Sequence, residues 1–386
     1  MSLSRDDRSG LSAWWWTIDR VALISITTLI AIGLVLAFAA SPAATGGPLA
    51  TGDFRFAAKQ IAFAAIAGII LVGSSQLSLR AVKIAAASLY ALAMLGAVLV
   101  LFGGSEVLGA KRWLDLGWIS LQPSEFLKPG FAVVAAAVLA GKNAKLSRPL
   151  TTFLLVAPAL ILLVLEPDDG QTALLLALWG ALLFFYGIEL WWVGLFSAAS
   201  LGLGALAFFL FPHSHLHHRL EQYFDPGKTG YQTGLALKAF AHGGIAGVGP
   251  GAGTVKYHIP EAHSDFIFAV AGEEFGLALC AVIAVLFCTL GVRLLSRSAR
   301  MNDRFCELAG AGLASVVALQ AFINMGVAVS LLPAKGMTLP FISYGGSSLF
   351  AVALTMGFAL AVTRQRPKVG ERPHGVFALA GEARPA

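Results

Sequence analysis

The chain has 386 residues, 57% of them hydrophobic and 12% charged, with a formal net charge of +6. A mean hydropathy of +0.77 excludes an ordinary water-soluble domain, which needs far more charged surface, and places the protein in a lipid bilayer. The excess positive charge then answers to lipid headgroups, and no nucleic-acid partner is expected.

In chain order, residues 1–17 read as an N-terminal tail whose Trp14, Trp15 and Trp16 suit the membrane interface. Ten apolar runs follow, at about 18–40, 56–74, 82–102, 124–140, 149–165, 170–188, 191–211, 266–290, 306–330 and 345–363, against the roughly 20 residues a helix needs to cross. The fourth and fifth are short, and Pro158 lies inside the fifth. The first run is too long for the apolar part of a cleavable signal peptide. No long polar segment separates the runs, so 18–363 reads as one all-α polytopic membrane domain, followed by a tail at 364–386. Cys280, Cys288 and Cys306 lie in or beside apolar runs without disulfide or metal spacing and read as small buried residues.

Sidedness follows from lysine and arginine. With a cytoplasmic N-terminus, that side receives both tails and the turns bearing Arg80, Lys83, Lys142, Lys145, Arg148, Arg293, Arg297, Arg300 and Arg304. The smaller basic set falls opposite, so both termini are expected inside. The long segment 212–265, before the eighth span, is then extracytoplasmic. It carries the histidine-rich "HSHLHH" and the glycine-dense "HGGIAGVGPGAG" at 242–253, whose backbone can approach another segment closely.

Several residues depart from this apolar background. "GAKRWLDLG" sets Lys111 and Arg112 beside Trp113, and "PAKGMTLPFISYGGSS" carries Lys335; such cations suit a diphosphate or an anionic lipid. Lys128, within a span, needs an anion, and Glu125 is three residues away. In the turn "EPDDGQ", Asp168 or Asp169 suits a helix cap, with a divalent-cation role weakly signalled. "PEAHSDFIFAVAGEEFG" at 260–276 runs from polar loop into apolar helix. Asp265 there reads either as a helix cap, with Ser264 as the other candidate, or as a partly desolvated carboxylate suited to accept a proton. Glu273 and Glu274 fall about 12–13 Å further along a helix, where a charge must have a partner. A structural ion pair and a polar route through the bundle both fit them.

These motifs together resemble the shape, elongation, division and sporulation (SEDS) family of bacterial membrane proteins, the FtsW and RodA type. "GAKRWLDLG…LQPSEFLK", "EPDDG", "DPGKTGYQ", "PEAHSDFIFAVAGEEFG" and "LPAKGMTLPFISYGGSS" stand in the family's order, and "GVGPGAGTVK" looks more like the division (FtsW) branch. The resemblance implies a SEDS-type bundle of about ten transmembrane helices in the bacterial inner membrane. It implies a peptidoglycan glycosyltransferase polymerising lipid II on the extracytoplasmic side during septal wall synthesis. Asp265 takes the place of the essential aspartate, as general base, with undecaprenyl diphosphate as leaving group. Substrate binding is implied for Lys111, Arg112, Trp113, Glu125, Lys128, Glu261, His263, Ser264, Lys335 and Ser343. Supporting roles fall to Glu273, Glu274, Pro340, Gly345 and Gly346. The implied partners are a single-pass class B penicillin-binding transpeptidase and other divisome proteins. No cofactor is assigned, and a divalent cation (Mg2+ or Mn2+) remains a candidate.

The chain also departs from the family pattern. "HTDF" is "HSDF" here, "QPDFGT" is "EPDDGQ", and Leu235 stands where a glutamine is usual. Two other readings stay open on the residues alone. One is a lipid II flippase using Glu273, Glu274 or Lys128; the other is a scaffold that activates its transpeptidase.

Overall fold

A computed structural model describes residues 10–45, 54–107, 110–115, 117, 120–141, 147–189, 191–192, 194, 202, 231–333 and 336–364. The chain divides into two compact units, residues 1–18 with 364–386, and residues 19–363. In the first, a short helix α1 (Gly10–Thr17) is described. Everything below concerns the second.

Eight helices among the described residues are long and apolar enough to cross a membrane. They are α2 (Arg20–Thr45), α3 (Arg55–Ser75), α4 (Leu79–Gly103), α5 (Pro123–Ala140), α6 (Arg148–Leu165), α7 (Asp169–Tyr186), α9 (Ile267–Ser298) and α10 (Arg304–Ala328). The closing helix α11 (Gly346–Val362) is apolar but shorter, at 17 residues. The expected span at 191–211 lies almost wholly outside the described residues. The unit is a polytopic bundle with its polarity reversed relative to a soluble protein. Ile69, Leu92, Phe102 and Val292 are mostly exposed, whereas Glu125, Lys128, Gln171, Glu273, Glu274 and Gln320 are buried. That inversion is what a hydrocarbon solvent selects.

Helix starts follow local chemistry. Ser78 accepts from the Ala81 amide at the head of α4, Asp168 from Gln171 at α7, and Asp303 from Phe305 and Cys306 at α10, each satisfying donors the first turn leaves open. Pro123 opens α5, where its missing N–H costs nothing. α5 and α10 are buried along most of their length and form the centre, while α6 is largely exposed.

The sequence reading expects only helices. The structure adds a small antiparallel sheet in the order β1-β2-β3, made of Ser105–Val107, Ala110–Asp115 and Ser120–Leu121. Glu106 pairs with Lys111, and Leu114 with Leu121. The pairing is too short to leave a period-two signature in sequence, but it turns the "AKRWLD" segment into a strand.

The second departure is in α9. The helix is broken at Gly276 (φ 74°, ψ −178°), a conformation essentially confined to glycine. A break orphans backbone groups, and another segment supplies the partners. Val248 and Gly249 amides donate to the Glu273 and Glu274 carbonyls, and Leu277 and Ala278 amides to Gly244 and Ile245. The inserted segment follows helix α8 (Tyr231–Gly243), which packs on α9. A Cβ at Gly247 would stand 2.2 Å from the Glu274 carbonyl oxygen, so the glycine density of 242–253 has a steric cause.

Candidate active site

The elements that carry the motifs share one end of the bundle. The sheet follows α4, residues 166–168 link α6 to α7, 244–266 lead into α9, and 336–345 link α10 to α11.

Asp265 lies on the 260–266 turn, half-buried, and α9 begins after it, with Phe266 at the cap position and no side-chain cap bond. The cap therefore falls past Asp265. Ser264 Oγ is engaged elsewhere, donating to Glu261 Oε2 at 2.8 Å. The turn is tied to the 336–345 segment at three points. Ser343 Oγ donates to the Ser264 carbonyl at 2.5 Å while accepting from the Leu339 amide at 2.7 Å. The Tyr344 amide donates to the His263 carbonyl at 2.9 Å. Asn324, on α10, donates from Nδ2 to the Asp265 carbonyl at 2.8 Å and to the Met337 carbonyl at 2.6 Å. A Cβ on Gly336 would meet Asp265 Oδ2 at 3.2 Å; glycine there leaves space at the carboxylate.

An aromatic group borders this turn. The His263 ring lies 5.0 Å from Phe56 and 5.5 Å from Tyr344. Burial draws the His263 pKa below its usual 6.5, against the opposing pull of Glu261, so the imidazole is neutral at neutral pH. Burial raises the Tyr344 phenol.

The base of the turn is held from α9. Glu273 Oε1 accepts from the Thr254 and Val255 amides, both at 2.7 Å, and lies 2.9 Å from His242 Nδ1; Oε2 accepts from the Lys256 amide at 2.9 Å. Glu274 pairs with Lys256, whose Nζ also donates to the Ala39 carbonyl of α2 at 2.8 Å. Both glutamates thus have their partners in the segment just before Asp265's turn.

Lys128 Nζ donates to Glu125 Oε2 at 2.7 Å and to Gln320 Oε1 at 2.9 Å. Gln171 Nε2 donates to Glu125 Oε1 at 2.7 Å, and Gln320 Nε2 to Thr338. A buried polar chain therefore links α7 and α5 through α10 to the 336–345 segment. Gln171, one of the departures from the family pattern, is a member of it. In the other half of that motif, Asp168 Oδ2 accepts from Gln122 at 3.1 Å. Glu166 is 1% exposed, and neither carboxyl oxygen has a hydrogen-bond partner among the described residues. Burial raises it to about 8, with the Asp168 charge adding and Arg112 opposing; burial also raises Asp168. Arg112 lies across this turn and donates to the Glu166 and Pro167 carbonyls.

Lys111 is exposed and Trp113 half-buried on β2, and Leu235 is half-buried on α8. Pro340 and Ser343 are buried, and a Cβ on Gly346 would meet the Phe63 ring at 3.1 Å. Gly345 occupies the cap position of α11. Lys335 and the "HSHLHH" histidines lie outside the described residues. Among the described residues, no three His, Cys, Asp or Glu groups stand together as a metal site. Asn324 and Gln320 escape a motif reading. Their signal is two amides four residues apart within an apolar run, which puts both on one helix face.

This architecture matches known proteins over almost its full length. A chain of a peptidoglycan synthase complex that coordinates polymerization and crosslinking superposes with a TM-score of 0.74 at 27% identity, covering 90% of this chain and 98% of that one. Thermus thermophilus rod shape determining protein RodA gives 0.68 at 26% identity, covering 92% and 99%. In sequence, a probable peptidoglycan glycosyltransferase FtsW of Caulobacter vibrioides is 39% identical, covering 99% of this chain and 96% of the relative. A namesake from Alkalilimnicola ehrlichii is 34% identical over 94% of each. The profile of the FtsW/RodA/SpoVE cell cycle protein family matches residues 19–368. The chain belongs to that family, on its FtsW branch.

Proposed function

We infer that this protein is a peptidoglycan glycosyltransferase that polymerises lipid II during septal wall synthesis, with Asp265 as general base. The observation that carries the assignment of the base is the placement of Asp265. It is a half-buried carboxylate on a turn fastened at three points to the 336–345 segment, in a chain of the FtsW branch.

The reaction follows from these groups. A sugar hydroxyl of the acceptor attacks the anomeric carbon of the donor glycan, and the bond from that carbon to the diphosphate oxygen breaks. Asp265 takes the hydroxyl proton, which requires hydrogen-bond reach in the productive complex. The departing undecaprenyl diphosphate gathers negative charge, and Lys111, Arg112 and Lys335 are the cations assigned to it. Two of Arg112's nitrogens bond the 166–167 carbonyls, a contact that orients the rest of the guanidinium. The prenyl tails stay in lipid against the apolar helices. Glu261, His263 and Ser264 are assigned to substrate binding, with Ser343 holding their turn through the Ser264 carbonyl, while Glu125 and Lys128 act through the buried chain that ends at Thr338.

Topology completes the reading. Ten spans in the bacterial inner membrane, with both termini cytoplasmic and 212–265 outside, put Asp265 and Arg112 on the extracytoplasmic side. A single-pass class B penicillin-binding transpeptidase is the expected partner, alongside other divisome proteins. The flippase reading uses Glu273, Glu274 or Lys128 along a polar route. Each of them instead bonds an internal partner, which removes its motive.

The test uses purified full-length protein, with and without the transpeptidase, and labelled lipid II in detergent. Wild type makes glycan strands and Asp265→Asn makes none. Strands of equal yield from both would remove Asp265 as base. Flipping in liposomes without polymerisation would restore the transport reading.

A further inference from the structure

Asn324 lies near the end of α10 and is 2% exposed. Its Nδ2 carries two N–H groups, and both are engaged. One donates to the Asp265 carbonyl at 2.8 Å and the other to the Met337 carbonyl at 2.6 Å. A single planar amide thus fixes the distance between two segments that are remote in sequence.

The other ties differ in kind. Ser343 to Ser264 and Tyr344 to His263 join one loop to another, and the helix bond beside them, from Gln60 Nε2 of α3 to the Ser343 carbonyl at 3.2 Å, reaches the 336–345 side and not the Asp265 turn. Among these ties, Asn324 alone joins Asp265's own peptide to a membrane helix. Gln320, one turn earlier on α10, donates to Thr338 and accepts from Lys128. The two amides therefore hold successive residues, 337 and 338, against one face of the most buried part of the bundle. An aspartate has only two side-chain torsions, so the position of its peptide largely decides where its carboxylate stands. A general base must meet its hydroxyl at about 2.6–3.2 Å, and a misplacement of about 1 Å can cost 10²-fold in rate.

We propose that Asn324 is a positioning residue for the transferase reaction, setting the Asp265 carboxylate against the 336–345 segment by bridging the Asp265 and Met337 carbonyls. The proposal rests on the reading of Asp265 as base. Asn324 touches no substrate, so its loss acts on turnover and leaves lipid II binding nearly intact.

The experiment uses full-length protein with its transpeptidase partner and labelled lipid II, measuring kcat and KM across pH. Asn324→Leu removes both donors while keeping the branched outline of the side chain, and kcat is expected to fall about 10- to 100-fold with KM within about twofold. Asn324→Asp keeps the shape but has a single O–H to donate, to one of the two carbonyls, and only while protonated. Its activity relative to wild type therefore rises as pH is lowered, a response that space-filling alone does not produce. A kcat for Asn324→Leu within twofold of wild type overturns the proposal. So does a KM that moves with kcat, or an activity ratio for Asn324→Asp that is flat with pH. If both variants lose the melting transition and the partner, Asn324 serves stability alone and the proposal falls. Asp265→Asn in the same series separates the two readings. Strands made by Asp265→Asn remove the base assignment itself, whatever the Asn324 variants do.

Discussion

Gly276 is the position where a single methyl group should undo the most structure. Its φ of 74° with ψ of −178° lies where a side chain costs about 1–3 kcal/mol. The Cβ of Gly276→Ala would stand 2.2 Å from the Ile245 carbonyl oxygen and 2.5 Å from the Gly247 amide nitrogen. Both are backbone atoms, so no rotamer change relieves the contact, and the 244–249 segment must withdraw. Withdrawal breaks the four bonds made by the Val248, Gly249, Leu277 and Ala278 amides, at about 0.5–1.5 kcal/mol net each. Strain and lost bonds together come to about 3–9 kcal/mol, and alanine's smaller unfolded-state entropy returns only about 0.4–1 kcal/mol. The same change at Gly291, on the same helix, is the control. Its Cβ would meet only the Ala318 Cβ, at 3.7 Å, so Gly291→Ala should be neutral or stabilising by up to about 1 kcal/mol. Unfolding in mixed detergent micelles gives the free energies, and hydrogen exchange at the four amides gives the local effect. A Gly276→Ala protein within about 1 kcal/mol of wild type, with those amides still protected, would refute the reasoning.

Two further outcomes follow from buried charge. Lys256→Met leaves Glu274 buried without its cation and should cost about 3–5 kcal/mol. Adding Glu274→Met should recover most of that, less about 1 kcal/mol for the Ala39 carbonyl left without its donor; detergent unfolding of the two variants checks it, and equal losses in both would count against the pair. Glu166, raised from 4.5 to about 8, keeps a proton in the folded state that the unfolded chain releases. Folding stability therefore falls as pH rises from about 4.5 to about 8. Glu166→Gln is neutral throughout, so its melting temperature should gain on wild type across that window and level off above it. Parallel melting curves would contradict the assignment.

How far these features were legible in sequence depends on what carries each interaction. The Glu125–Lys128 pair is a matter of helical spacing, and the structure makes it. The depth of Glu273 and Glu274 along α9 also follows from rise per residue, so their need for partners was readable. The partners were not. The Thr254 and Val255 amides are backbone groups without a sequence signature, and Lys256 meets Glu274 from outside the helix, where no helical spacing could foretell it. Glycine density at 242–253 signalled close approach without saying to what. The choice of Asp265 over its capping role came from family resemblance, because a carboxylate at a loop–helix boundary suits both. Asn324 carried too weak a signal, since two amides four residues apart in an apolar helix, Gln320 and Asn324, still read as ordinary buried polar groups.

The break in α9 also bears on how the protein is made. The carbonyls of 273 and 274 and the amides of 277 and 278 find their partners at 244–249, not within their own helix. Left in hydrocarbon, such groups are costly each. The segment that serves them comes earlier in the chain, so it has already left the ribosome when the break emerges. Synthesis from the N-terminus therefore delivers the plug before the gap. A circular permutation that reversed this order would leave α9 to enter the bilayer with its discontinuity exposed.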